Sequence, residues 1–289
     1  MKLKLIILFI LSLVCEISND FFSKKLMYAI SEFDLIFLRH LIGAIIMLCL
    51  VRKFDILILL RIFIIQILIF SFIYQQYITF IIFTILFIFY CLKNNLILRS
   101  LFTFLAFFLT SKAMKTMSLD CITMSYYSIP LFSSLINYFI SDEKIGKKYW
   151  IEFLLISYLL FNRTTSINLN MFLGCLSFSF CDILMRYSSE NILKEMFYIN
   201  LAIVFYSYFF ISKDIFIIGF TNYKLYLFML CLGSLFLHYC IISIFRDTHL
   251  AKLLSFRFIN IIFSSLIVGN FFSKINLLIP VFIIIKLFF

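Results

Sequence analysis

The sequence predicts an all-α polytopic membrane protein, and three observations carry that expectation. Of 289 residues, 64% are hydrophobic and only 13% charged, whereas a soluble domain sits nearer half and a quarter. The apolar residues fall in long runs, most of them close to the roughly 20 residues that a membrane-spanning helix needs. Gly and Pro number only 6 and 2, so there is almost no linker or turn-rich material between the runs.

The first run covers about 3–26 and opens on Lys2 and Lys4. Leu13 and Val14 precede Cys15 where a signal-peptide cleavage site wants small residues, so a retained first helix is expected. Glu16, Asn19, Asp20 and Lys24 interrupt its apolar sequence. Asp20 and Lys24 lie four residues apart, which places them on one helix face as an acid followed by a base. A carboxylate at the centre of a spanning helix costs about 2.5–3.5 kcal/mol on insertion scales, so a compensating partner or ligand is required. After a short polar turn, the run 33–51 carries Arg39 near its start.

The run 56–92 is too long for one span and holds Arg61, Gln66 and the cluster Tyr74, Gln75, Gln76, Tyr77. It reads as two spans that turn at that cluster. The run 96–116 carries Arg99, and 119–140 carries Pro130, which lacks a backbone donor and bends its helix. Trp150, beside Lys147 and Lys148, anchors 149–162 at an interface. Asp182 and Arg186 lie within 168–187; the chain continues through 195–212, 223–245, 248–271, with Arg257, and 275–289.

A formal charge of +11 would suggest nucleic acid in a soluble protein. Here the basic residues sit in short connections between apolar runs, so no nucleic-acid partner is expected and the lipid bilayer is. All eight cysteines fall inside apolar segments and none forms a CxxC; they read as small buried hydrophobes and not as a disulfide frame or metal site. There is no P-loop, HExxH, GxSxG or metal-ligand spacing. No enzyme activity, cofactor or metal is expected.

The chain repeats itself. Pairing Asp20 with Asp182 aligns LSLVCEISNDFFSK with LGCLSFSFCDILMR and sets Lys24 opposite Arg186. Farther on, MSYYSIPLFSSLI (Met124 to Ile136) aligns with SFRFINIIFSSLI (Ser255 to Ile267), the two registers differing by about 30 residues. An extra hydrophobic hairpin near 54–92 produces that offset. Two-fold repetition of this kind is the sequence trace of a transporter built from inverted halves. The distribution of Lys and Arg over the connections favours cytoplasmic N- and C-termini.

LSLVCEISNDFFSKKLMYAISEFDLIFLRH resembles the first two helices of the EamA-type drug/metabolite transporter superfamily. LRSLFTFLAFFLTSKAMKTMSLDCITMSYYSIPLFSSLINYFISDEKIGKKYW resembles its third and fourth helices, and LSFSFCDILMRY and LAKLLSFRFINIIFSSLI continue the likeness in the second half. Within the superfamily the chain resembles the S-adenosylmethionine uptake transporters of obligate intracellular bacteria. The resemblance implies ten core helices in two inverted five-helix repeats, 1–165 and 166–289, in a bacterial inner membrane. The insert 53–92 departs from the family pattern, as does the scarcity of Gly.

S-adenosylmethionine carries a sulfonium, an amino group, a carboxylate and an adenine. Asp20 and Asp182 suit the cationic groups, and Arg39, Arg99 or Arg257 suit the carboxylate through a bidentate fork. Tyr126 offers a stacking face; Asn19 and Ser128 offer hydrogen bonds. Two readings stand for Asp20 and Asp182, ligand contact or neutralising helix pairs, while Lys24 and Arg186 are assigned to structural ion pairs. Arg39 and Arg99 also fit snorkelling to headgroups. Glu16 fits either a proton-coupling carboxylate or an arginine partner. The expected function is import of a small-molecule metabolite, S-adenosylmethionine first. A carrier or exporter of another metabolite, amino acid or drug is the alternative, and a non-transporting scaffold or decayed carrier is the alternative from another class.

Overall fold

In the computed structural model, which describes residues 3–51, 56–73, 95–117, 119–126, 128–140, 168–188, 190–212 and 223–247, every described element is helical. In chain order these are α1 (Leu3–Leu26), α2 (Glu32–Leu50), α3 (Ile56–Ile73), α4 (Asn95–Met114), α5 (Leu119–Tyr126), α6 (Ser128–Ile140), α7 (Leu169–Arg186), α8 (Ile192–Ser207) and α9 (Lys224–Asp247). Five of them, α2, α4, α7, α8 with its closing 3₁₀ turn and α9, are long and apolar enough to cross a membrane.

Ionisable and amide side chains are buried beside the apolar core, and large apolar side chains are exposed. Arg99, Glu195, Asp20, Asp182 and Asn200 are buried, while Leu225, Phe228, Met229, Leu232, Phe236 and Tyr239 form an exposed stripe along α9. Their spacing of three and four residues marks one continuous helix face. Exposed apolar side chains together with buried ionisable groups fit lipid as the surrounding solvent.

Polar caps set the helix starts. The Ser31 side chain accepts from the Asp34 N–H at 3.2 Å, and the Asn168 side chain accepts from the Met171 N–H at 3.2 Å. Asn191 accepts from the Leu193 N–H at 2.9 Å, which starts α8 at Ile192 and leaves Lys194 and Glu195 inside the helix. The sequence suggested a start at Glu195; a cap outranks the charged residues that follow it. Within the run 119–140 the described residues form α5 and α6, on either side of residue 127, and Pro130 offers no N–H to the carbonyl of Tyr126. Of the long run 56–92, the first limb is the helix α3; the expected turn at 74–77 and second limb lie outside the described residues. So do 149–162, 248–271 and 275–289.

Hydrogen bonds fix how the helices run. At one end of the bundle Lys24 Nζ donates to the Met117 carbonyl (2.7 Å), Lys25 Nζ to the Tyr226 hydroxyl (3.0 Å), and Lys115 pairs with Glu32 (2.9 Å). Asp34 accepts there from both the N–H and the hydroxyl of Ser212, at 2.8 and 2.9 Å. That end collects the C-termini of α1, α4 and α8 and the N-termini of α2, α7 and α9. At the other end Arg246 bonds Ser188 and Glu195, joining the end of α9 to the start of α8. The most extensive contacts are α4 with α7, α1 with α9, and α2 with α8. Exchanging α1 with α7, α2 with α8 and α4 with α9 maps these three pairs onto one another, and each exchanged helix runs opposite to its counterpart.

Candidate functional site

A cavity lies between α1, α2, α4, α7 and α9. One wall follows α4 from Arg99 through Thr103, Phe107 and Thr110 to Met114. Facing it are Glu16, Asn19, Asp20 and Ser23 of α1, Arg39 of α2, Asp182 of α7 and His238 of α9. Phe107, Tyr126 and Phe178 supply aromatic surface, with Phe178 edge-on to both Phe107 (5.3 Å) and Tyr126 (6.1 Å).

Four of the cavity's ionisable groups form two acid–base couples, and Glu16 is a further acid beside Asp20. Asp20 and Arg39 interact electrostatically in the half of the cavity nearer the Lys24 end. Asp182 and Arg99 do so in the half nearer the Arg246 end. At 1.5 Å rise per residue, Asp20 sits about 9 Å from the end of α1 and Asp182 about 6 Å from the end of α7. The repeat in the sequence therefore places its two aspartates in opposite halves of one cavity.

Arg99, 2% exposed, pairs with Glu195, which is fully buried, and Glu195 also pairs with Arg246 and accepts from the Ser188 hydroxyl at 3.1 Å. A single carboxylate thus holds two guanidiniums. Asp182 accepts from the Ser133 hydroxyl at 3.2 Å. Arg39 donates from Nε to the Ser234 hydroxyl at 2.7 Å and lies over the Phe107 ring at 4.4 Å, a cation–π contact worth about 0.5–2 kcal/mol. Next to it, His40 Nδ1 and Asn200 Oδ1 are 2.8 Å apart, tying α2 to α8. No family model matches this chain, and no curated protein does.

Six of the expected ligand residues, Asn19, Asp20, Arg39, Arg99, Tyr126 and Asp182, line this cavity. Ser128 is not among its lining residues: its hydroxyl donates to the Ser125 carbonyl at 2.6 Å, beside the helix junction. Arg257 lies outside the described residues. The structure does not join Lys24 to Asp20, because the Lys24 ammonium goes to the Met117 carbonyl at 2.7 Å. Arg186 is the last residue of α7. Snorkelling does not describe Arg99, whose side chain is inside the bundle. The sequence reading left out Glu195 and His238. The signal for Glu195 was its place among the apolar residues of ILKEMFYIN, where an intramembrane carboxylate points to a partner.

Proposed function

We propose that this chain is a secondary transporter of a bacterial inner membrane that imports a metabolite by alternating access. In this reading ten core helices form two inverted five-helix halves, 1–165 and 166–289, and S-adenosylmethionine is the substrate. The observation that carries the reading is the cavity itself. Charged and polar side chains of α1, α2, α4, α7 and α9 converge on one cavity inside a bundle that exposes large apolar side chains. A scaffold has no use for such a space, and each buried polar group in it is a cost that a transported ligand offsets.

The opposed directions of α1 and α7, α2 and α8, and α4 and α9 support the inverted halves, since exchange of equivalent elements is how such carriers alternate. Asp20, Arg39, Asn19 and Tyr126, with Arg257 from the sequence, are assigned to substrate recognition; Asp182 and Arg99 line the same cavity. The choice of S-adenosylmethionine rests on the resemblance of the sequence, with the acidic, basic and aromatic cavity walls as its chemical support.

Uptake of labelled S-adenosylmethionine into cells expressing the protein tests the proposal. Uptake should exceed that of control cells and fall when unlabelled S-adenosylhomocysteine is added. Absence of uptake despite confirmed membrane insertion rules out this substrate. Asp20→Asn and Arg257→Gln should each abolish uptake without lowering the amount of inserted protein, and normal uptake in both would remove these residues from the site.

A further inference from the structure

The two acid–base couples of the cavity are in different conditions. The couple at the Arg246 end is ion-paired: Asp182 is held by Ser133, and Arg99 by Glu195, which Arg246 and Ser188 complete, with the Arg99 Nε left without a hydrogen-bond partner among the described residues. The couple at the Lys24 end is open. Asp20 is 7% exposed, yet its Oδ2 has no hydrogen-bond partner among the described residues. Asn19, 4% exposed, has neither its Oδ1 nor its Nδ2 satisfied there. Arg39 forms no ion pair within 4.0 Å among the described residues, and two of its five N–H donors go to Ser234. Buried groups of this kind are normally paired, and all three residues line the cavity.

An acid and a base that share a cavity without touching leave a gap for a ligand of the complementary pattern. A simple cation would satisfy Asp20 and add to the positive field of Arg39. A simple anion would do the reverse. A zwitterion satisfies both, its cationic group against Asp20 and Asn19 and its carboxylate against the free edge of the Arg39 guanidinium. The aromatic side chains of Phe107, Tyr126 and Phe178 then face the ligand's apolar or aromatic body.

We infer that the open couple of Asp20 and Arg39, with Asn19, is the recognition site for an amino-acid-type zwitterion, and that the ion-paired couple of Asp182 and Arg99 does not touch the ligand. This deepens the transport reading and rests on it. It also separates two aspartates that the sequence repeat makes equivalent: Asp20 contacts ligand, and Asp182 positions α6 against α7.

The test is ligand-induced thermal stabilisation of the purified full-length protein in lipid nanodiscs. The probes are S-adenosylmethionine beside its decarboxylated form, and L-methionine and L-phenylalanine beside their methyl esters and N-acetyl derivatives. At least one zwitterion should bind, and masking either its carboxylate or its ammonium should weaken it tenfold or more. Arg39→Gln should erase the difference between the zwitterion and its carboxylate-masked analogue. Asp20→Asn should erase the difference between the zwitterion and its ammonium-masked analogue, and Asp182→Asn should leave both differences in place. The wild-type comparison needs no variant to fold. Binding of an amino acid but not of S-adenosylmethionine leaves the zwitterion site standing and removes the proposed substrate. Equal binding of S-adenosylmethionine and its decarboxylated form overturns the zwitterion site and keeps the substrate. Stabilisation by none of the probes also overturns the site.

Discussion

Glu195 carries the heaviest electrostatic duty in the described bundle, because Arg99 and Arg246 both depend on it. Removing one member of a buried ion pair costs about 3–5 kcal/mol, since the other charge stays buried without compensation. Glu195→Gln should therefore lower the melting temperature of the detergent-solubilised protein sharply. Arg99→Met combined with Glu195→Leu should recover at least half of that loss, since Arg246, at the end of α9, can turn its head group towards the interface. Absence of recovery would show that Arg99 and Glu195 are not coupled. The sequence displayed Arg99 plainly, as a cation inside an apolar run. It hid the partner, because Glu195 follows Lys194 and looks like a helix boundary until the Asn191 cap is known. The Asp20–Lys24 spacing misled in the opposite way. Helical periodicity puts the two on one face, yet a carbonyl near the end of α4 competes for the ammonium and wins. Pairing within a helix can be read from spacing; competition from a neighbouring helix cannot.

Helix contacts in this chain depend on a few glycines, and two of them separate stability from binding. A Cβ on Gly174 would meet Thr110 Cγ2 at 2.6 Å and the Thr110 backbone nitrogen at 3.2 Å, in the close contact of α7 with α4. Thr110 is buried and its hydroxyl is tied to the Ala106 carbonyl at 2.8 Å, so it has little room to yield. Gly174→Ala should cost about 1–3 kcal/mol, the range for overpacking, read as an earlier thermal unfolding transition. Gly233 presents a different neighbour. Its Cβ would come within 2.7 Å of Asn19 Oδ1, the far end of a side chain that has no other partner among the described residues. Gly233→Ala should displace Asn19 and weaken ligand binding several-fold while the unfolding transition moves little. A large loss of stability with unchanged binding would contradict that placement. The runs that became α1, α2, α4, α7 and α9 were legible in the sequence within a few residues, because length and hydropathy alone set a spanning helix. Which glycine abuts which helix was not, since close approach depends on the partner surface.

The whole bundle tests whether the repeat in the sequence is an inversion in space. Lys24, Lys25, Lys115 and the start of α9 gather at one end, and Ser188, Glu195 and Arg246 at the other. In the proposed orientation, with cytoplasmic termini, the first group faces outside and the second the cytoplasm. The duplicated aspartate helices α1 and α7 run in opposite directions, a relation that the alignment of Asp20 with Asp182 could not supply, because sequence similarity carries no direction. Two positions decide the matter. Tyr28 follows α1 and is 81% exposed; Tyr187 follows α7 and is exposed as well. In a background with all eight native cysteines replaced by serine or alanine, Tyr28→Cys should react with a membrane-impermeant thiol reagent in intact spheroplasts. Tyr187→Cys should react only after permeabilisation. Labelling of both from the same side would mean that α1 and α7 cross in the same sense, and the inverted halves, with the alternating-access reading built on them, would fall together.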